Sequence, residues 1–240
     1  MNGTSKSSYG NCDTCDQPQT DNGWCSVCQT KIFQENFINW TSGNQKIDEL
    51  IQETQINPIN PGRILEWIPY EKIKIVKKIG KGGFSTIYEA IWIDGPIVWD
   101  GVKLNRKSNC KIALKNLDTS SESLSDEYLN ELKLHLRCNS IFVLKCYGIT
   151  KDNSTKNYML VLLHAGAGDL RKDLILNSKM RSWMGKVALL ESVIVGLATI
   201  HEANVVHRDF HSGNILRDQD SGQLSLKLPN TTGILKLNEN

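Results

Sequence analysis

The stretch "VVHRDFHSGNIL", residues 205–216, decides how this chain is read. Two apolar pairs, Val205-Val206 and Ile215-Leu216, bracket a polar loop that carries His207, Arg208 and Asp209, and then Asn214 five residues after the aspartate. A carboxylate can accept a proton from a hydroxyl and an amide oxygen can hold a cation, so the pairing has a chemical sense. The chain continues for 24 residues beyond Leu216.

Upstream lies "SWMGKVALLESVIVGLATIHEA", residues 182–203, whose length and apolar content predict one long helix. Val187, Leu190, Ile194 and Leu197 form one stripe and Leu189, Val193 and Ile200 a neighbouring one, so the helix is suited to burial on several sides. Each such side chain is worth about 1.5–3 kcal/mol when buried. A face left uncovered therefore implies aggregation, or a need for a partner or chaperone. Earlier, "YMLVLL" (158–163) reads as a buried strand and "SDEYLNELKLHLR" (125–137) as a helix capped by Ser-Asp. In "IPYEKIKIVKKIG", Ile73, Ile75 and Ile79 alternate with Lys72, Lys74 and Lys78, as in a strand with one wet face. "STIYEAIWI", a polar loop and "CKIALKNL" follow, which makes at least three strands in sequence order and an antiparallel sheet. "FQENFINWTSGNQKIDELIQETQ" (33–55) predicts two short helices around a Ser-Gly-Asn break, and "NPINPG" then punctuates the chain.

Composition bounds the function classes. With 240 residues, 40% of them hydrophobic, the chain can bury one or two cores of ordinary size. Lys and Arg total 28 against 26 Asp and Glu, and the net +2 gives no argument for nucleic acid or an anionic membrane. The apolar run "MLVLL" (159–163) falls far short of the roughly 20 residues of a membrane span, and the polar "MNGTSKSSYG" start lacks a secretory core. The expectation is an intracellular, cytoplasmic protein. Seven cysteines suit a reducing compartment better than a disulfide scaffold.

Four of those cysteines, Cys12, Cys15, Cys25 and Cys28, form two C-x2-C pairs nine residues apart, in a segment with almost no aliphatic residues. Two tight turns offering four soft thiolates suit one tetrahedral Zn2+. A redox dithiol or free thiols are the alternatives, and neither pair has the strand-helix surroundings of a redox motif. Such a module would be unstructured without its metal. Cys110, Cys138 and Cys146 read as ordinary thiols, and His135, His164 and His201 as core or surface histidines.

"IGKGGFSTIYEA" (79–90) places Gly80, Gly82 and Gly83 between two strands, "IALK" puts Lys115 on a strand, and the next helix offers Glu131. Together with "HRDFHSGN" (207–214), this order resembles the protein kinase family over residues 66 to about 220, and the nearest likeness is to tyrosine-kinase-like fungal kinases with an N-terminal cysteine module and an "EWIPY" lead-in. The resemblance implies an α+β fold. It comprises a small lobe of antiparallel sheet plus one helix (66–163) and an incomplete helical large lobe (164–240), preceded by a helical linker (31–65) and a zinc-ribbon-like module (1–30).

It also implies ATP and Mg2+ as cofactors and an unknown protein as substrate or partner. Asp209 would be the base and Asn214 the Mg2+ ligand, while Lys115 and Glu131 would orient the phosphates. Ile79, Ile87, Ala113 and Leu216 would wall the adenine, Gly80, Gly82 and Gly83 would cover the phosphates, and Leu163 and Ala165 would face the base by their backbones, behind Leu162 as gatekeeper.

Two departures matter. The third spaced glycine of the phosphate loop is Ser85, and the lysine usual two residues after the base in serine/threonine members is His211. A dozen or more residues after Asn214 the family places a metal-binding Asp-Phe-Gly or Asp-Leu-Gly, but here "GQLSLKL" runs into "PNTTGILKLNEN" and no Asp follows Asp220. The expectation is a kinase by ancestry, truncated and impaired in transfer. The alternative is a pseudokinase-like ATP-binding or interaction module.

Overall fold

The computed structural model describes residues 9–56, 58–81, 85–117, 126–138, 140–177, 182–218, 222–228 and 235–236. The cysteine segment leads into α1 (Ser26–Asn36), and α2 (Gln45–Gln55) follows the Ser-Gly-Asn break, where the Asn44 side chain accepts from the Lys46 and Ile47 amides. Ile47, Leu50 and Ile51 bury one face of α2 against the sheet. The 33–55 pattern predicts two helices around the break; α2 is the second, whereas the first starts at Ser26 inside the cysteine segment and only its end, 33–36, lies in that stretch.

The main sheet has the order β1-β7-β8-β6-β3-β2. Its strands are β1 (Glu66–Trp67), β2 (Ile73–Lys81), β3 (Ser85–Trp92), β6 (Cys110–Leu117), β7 (Cys146–Lys151) and β8 (Tyr158–Leu163). All neighbours are antiparallel except the short edge strand β1, which runs parallel to β7. A hairpin of β4 (Ile97–Trp99) and β5 (Leu104–Arg106) occupies the stretch expected to be a polar loop. The alternation expected of β2 is only partly realised. Ile73 is buried, but Ile75 and Ile79 are exposed, and register shifts between Ile75 and Lys77 and between Lys78 and Gly80 break the alternation in the second half of the strand.

Helix α3 (Asp126–Arg137) joins two cores. Leu129 and Leu132 pack with α2 and the sheet, whereas Leu134 and Cys138 pack with the second lobe. That lobe contains α4 (Leu170–Asn177), α5 (Trp183–Glu202), β9 (Val205–Val206), β10 (Ile215–Arg217), β11 (Leu224–Leu226) and β12 (Leu235–Lys236). Ser182 caps α5 by accepting from the Gly185 amide at 3.1 Å. Gly196 lets α5 approach closely, since a Cβ there would stand 2.8 Å from the Phe142 carbonyl oxygen and 3.0 Å from Leu226. Leu189, Val193, Leu197 and Ile200 face the core, while Trp183, Met184, Leu190 and Ile194 are 61–76% exposed. By length and composition α5 is apolar enough to cross a membrane, although one face packs on β9 and β11 as a core helix does.

Candidate functional site

The sheet face that meets the second lobe is set by register. On β6, Ala113 lies between Glu89 and Leu162, and Lys115 between Ile87 and Leu160, so these side chains share one face. Lys115 is 2% exposed, an unusual burial for an ammonium. Below this face a cavity of about 400 Å³ opens between the lobes. Ile79, Gly80, Ile87, Ala113, Lys115, Leu163, Ala165 and Leu216 all line it. Gly82 and Gly83 lie outside the described residues, and Glu131 lies on α3 with its side chain outside them. Leu162 also lines the cavity, and β8 leads directly into the turn of Ala165, Gly166 and Gly168 at its mouth.

The loop at 207–214 is tightly tied. Arg208 has a φ of 56°, a left-handed conformation rare outside glycine, and the Asp209 amide donates to the His207 carbonyl at 2.7 Å. The Asn214 side-chain amide donates to the Asp209 carboxylate at 2.7 Å and to the Asp209 carbonyl at 2.9 Å, leaving its own amide oxygen for another partner. His211, two residues after Asp209, sits 3.5 Å from the Asp209 carboxylate, while its Nδ1 accepts from the Gly213 amide. The Asp209 side chain is 66% exposed, open to solvent. His207 donates through Nε2 to the Lys227 carbonyl at 2.9 Å, and burial pulls its pKa below the ordinary value despite that bond.

Sequence reasoning missed several lining groups: Lys77, Glu89, Leu144, His164, Asp169, Lys172, Gly213 and Lys227. Glu89 pairs with Lys77 at 3.3 Å and His164 at 3.8 Å, and Asp169 with Lys172 at 3.6 Å. Strand register could have placed Glu89 opposite Ala113 and Lys77 opposite Glu89. His135 is a core histidine, as expected. Burial first, and then the nearby Lys115 charge, lower its pKa to about 4.

The four cysteines converge, with their sulfurs all within 4.8 Å of one another. The Cys12–Cys28 and Cys15–Cys25 separations of 3.8 and 3.4 Å are too long for disulfides and close to the edge, about 3.8 Å, of a tetrahedron with 2.3 Å bonds. The Thr14 amide donates to the Cys12 sulfur at 3.4 Å, and this and the Cys15 amide lower the Cys12 pKa to about 6. The donor set and spacing fit Zn2+. The cluster also has a foundation: Trp24 is fully buried among Phe33, Ile64 and the β4–β5 hairpin, edge-on to Trp99 at 5.3 Å, and donates to the Pro58 carbonyl at 2.6 Å.

A small lobe of mainly antiparallel sheet with one crossing helix, set over a helical second lobe with a cleft between them, is the architecture of protein kinases. Residues 73–229, about two thirds of the chain, match the protein kinase domain, and the chain belongs to that family. It is similar to the serine/threonine-protein kinases cst-1 of Caenorhabditis briggsae and Caenorhabditis elegans, at 27% identity over 152 residues. That alignment covers 63% of this chain and 27% of each relative, so the chain spans about a quarter of the curated relatives it matches.

Proposed function

We propose that the chain binds ATP in the 400 Å³ cavity and carries the residues of protein phosphoryl transfer, with transfer itself close to background. The observation that carries the reading is the convergence of eight residues that the resemblance assigns to the nucleotide site, from Ile79 to Leu216, on one cavity of the size small ligands occupy. Ile79, Ile87 and Ala113 would cover the adenine from the sheet and Leu216 from below, with the Leu163 and Ala165 backbones at its edge. Lys115 is the phosphate ligand, oriented with Glu131, and Gly80 lines the cavity beside it; the resemblance gives the same phosphate-covering role to Gly82 and Gly83, which lie outside the described residues. In transfer, the substrate hydroxyl oxygen bonds to the γ-phosphorus, the bond to the β-phosphate oxygen breaks, and the hydroxyl proton passes to Asp209. The names of the relatives favour a serine or threonine hydroxyl.

The family implies Mg2+, and the described residues fit it poorly. Asn214 offers one amide oxygen, while the carboxylates that line the cavity, Glu89 and Asp169, are each engaged by a lysine. Mg2+ in such sites is held through carboxylates together with substrate phosphates. Transfer depends on positioning and charge neutralisation, so a site short of carboxylates turns over slowly. The cysteine cluster is proposed to hold one zinc ion as a structural site.

Radiolabelled ATP with a generic protein substrate tests the transfer reading. Label incorporation near background, the same in Asp209→Ala, is the expected result. Robust turnover lost in Asp209→Ala would contradict it and make the chain a competent kinase.

A further inference from the structure

A second cleft, of about 470 Å³, lies between α2, α3 and the segment that joins α2 to β1, and among the described residues it shares no lining group with the nucleotide cavity. Helix α2 gives it Leu50, Glu53 and Thr54, and α3 gives it Lys133, Leu136 and Arg137. Both sets follow the i, i+3, i+4 spacing that puts three side chains on one helix face. Ile56, Pro58, Ile59 and Arg63 form the third side. That side is held from the cysteine segment: Trp24 Nε1 donates to the Pro58 carbonyl at 2.6 Å and Thr20 Oγ1 to the Ile59 carbonyl at 2.8 Å. Arg137 is fixed in turn by its 2.7 Å bond to the Ala203 carbonyl. Walls set in advance lower the ordering cost of binding.

The cleft is apolar at its centre and charged around it. Leu50 is buried and Leu136 packs partly buried beside it, while Ile56 and Ile59 turn 43% and 50% of their surface to solvent. Three cations (Arg63, Lys133 and Arg137) stand against one carboxylate (Glu53), which leaves 3 − 1 = +2 among the described lining residues. All four charged side chains belong to exposed residues. Among the described residues neither Arg63 nor Lys133 has an ion-pair partner. No buried side chain with an unsatisfied polar atom lines the cleft among the described residues. An apolar centre ringed by exposed charge, with arginines in the ring, is the anatomy of a protein-binding surface, whereas a small-molecule site aims a few inward polar groups at its ligand.

From this we infer that the cleft docks an acidic peptide segment of a partner protein, which lays apolar side chains on Leu50, Ile56 and Leu136 and carboxylates on Arg63 and Lys133. The apolar contacts supply most of the affinity, and the two cations select the sign of the partner's charge. The Arg63 guanidinium can meet a carboxylate through two parallel hydrogen bonds, which sets the peptide's register.

The test begins with selection of a random peptide library against the full chain, followed by anisotropy titration of the best synthetic peptide. Selected peptides should combine aliphatic or aromatic residues with Asp or Glu. Affinity should fall about tenfold in the double variant Arg63→Glu with Lys133→Glu, two exposed pairs contributing comparably. The same peptide with its acidic residues changed to lysine should bind the double variant better than it binds wild type. Thermal unfolding should match wild type, since both substituted side chains are exposed. Amide exchange with peptide bound should show protection gained at 50–63 and 133–137. An enriched set without acidic residues, no enrichment, binding undiminished in the double variant, or protection confined to other segments would overturn the inference. Self-association of wild type that is abolished in the double variant would give the cleft to a second copy of the chain and overturn it equally.

Discussion

Trp24→Ala should release the cysteine segment from the small lobe. The indole is fully buried in a cluster shared by both parts: Phe33 from α1, Ile64 from the connecting segment, and Ile97, Trp99 and Leu104 from the β4–β5 hairpin. Truncating a buried tryptophan costs about 3–5 kcal/mol, and the Pro58 carbonyl loses its 2.6 Å donor as well. Two other bonds hold the junction, Thr20 Oγ1 to the Ile59 carbonyl at 2.8 Å and Trp99 Nε1 to the Asn22 carbonyl at 3.2 Å. At about 1 kcal/mol each they offset less than the loss. The segment should therefore undock while the sheet survives. Amide exchange by mass spectrometry should show protection falling in residues 10–36 and 97–106 and unchanged in β6. Trp24→Phe, which keeps most of the apolar surface but not the N–H, should lose less. A Trp24→Ala protein destabilised by less than about 1 kcal/mol, with the hairpin as protected as in wild type, would refute the reasoning.

Three further outcomes follow from the same structure. Metal analysis should find one zinc per chain, and its removal by chelator should loosen residues 10–30; zinc-free protein with an unchanged amide spectrum would count against the site. His135 is held neutral with a pKa of about 4 against an ordinary 6.5, so the unfolded chain takes up a proton before the folded one does. Stability should be insensitive to this group above pH 6.5, fall by about 3 kcal/mol as pH drops to 4, and lose that slope in His135→Leu, as read from urea melts. Leu190→Lys with Ile194→Lys, on the exposed face of α5, should leave the unfolding midpoint nearly unchanged and reduce self-association in sedimentation velocity, whereas a large loss of stability would mean that face is covered.

The order of glycine loop, strand lysine, helix and polar loop was readable because each element needs particular residues in a particular sequence. Asp209 and Asn214, read from the sequence as separate base and metal ligand, lie one hydrogen bond apart. Ile79 was read both as part of a wet-faced strand and as an adenine wall, and the bulges of β2 resolve the conflict by exposing it towards the cavity. The β4–β5 hairpin escaped notice because each of its strands has only three residues, too few for a period to show. The cysteine segment has little apolar surface of its own, yet its one tryptophan borrows a core from the hairpin some 75 residues away (99 − 24), a partnership no local pattern encodes.

Photolabelling with 8-azido-ATP, followed by peptide mapping with and without excess ATP, tests the central claim most directly. ATP-protected label should fall on peptides containing Ile79, Ala113 or Leu216, the walls of the interlobe cavity. Label insensitive to ATP, or confined to the second cleft of about 470 Å³ between α2 and α3 near Leu50, Arg63 and Lys133, would contradict it.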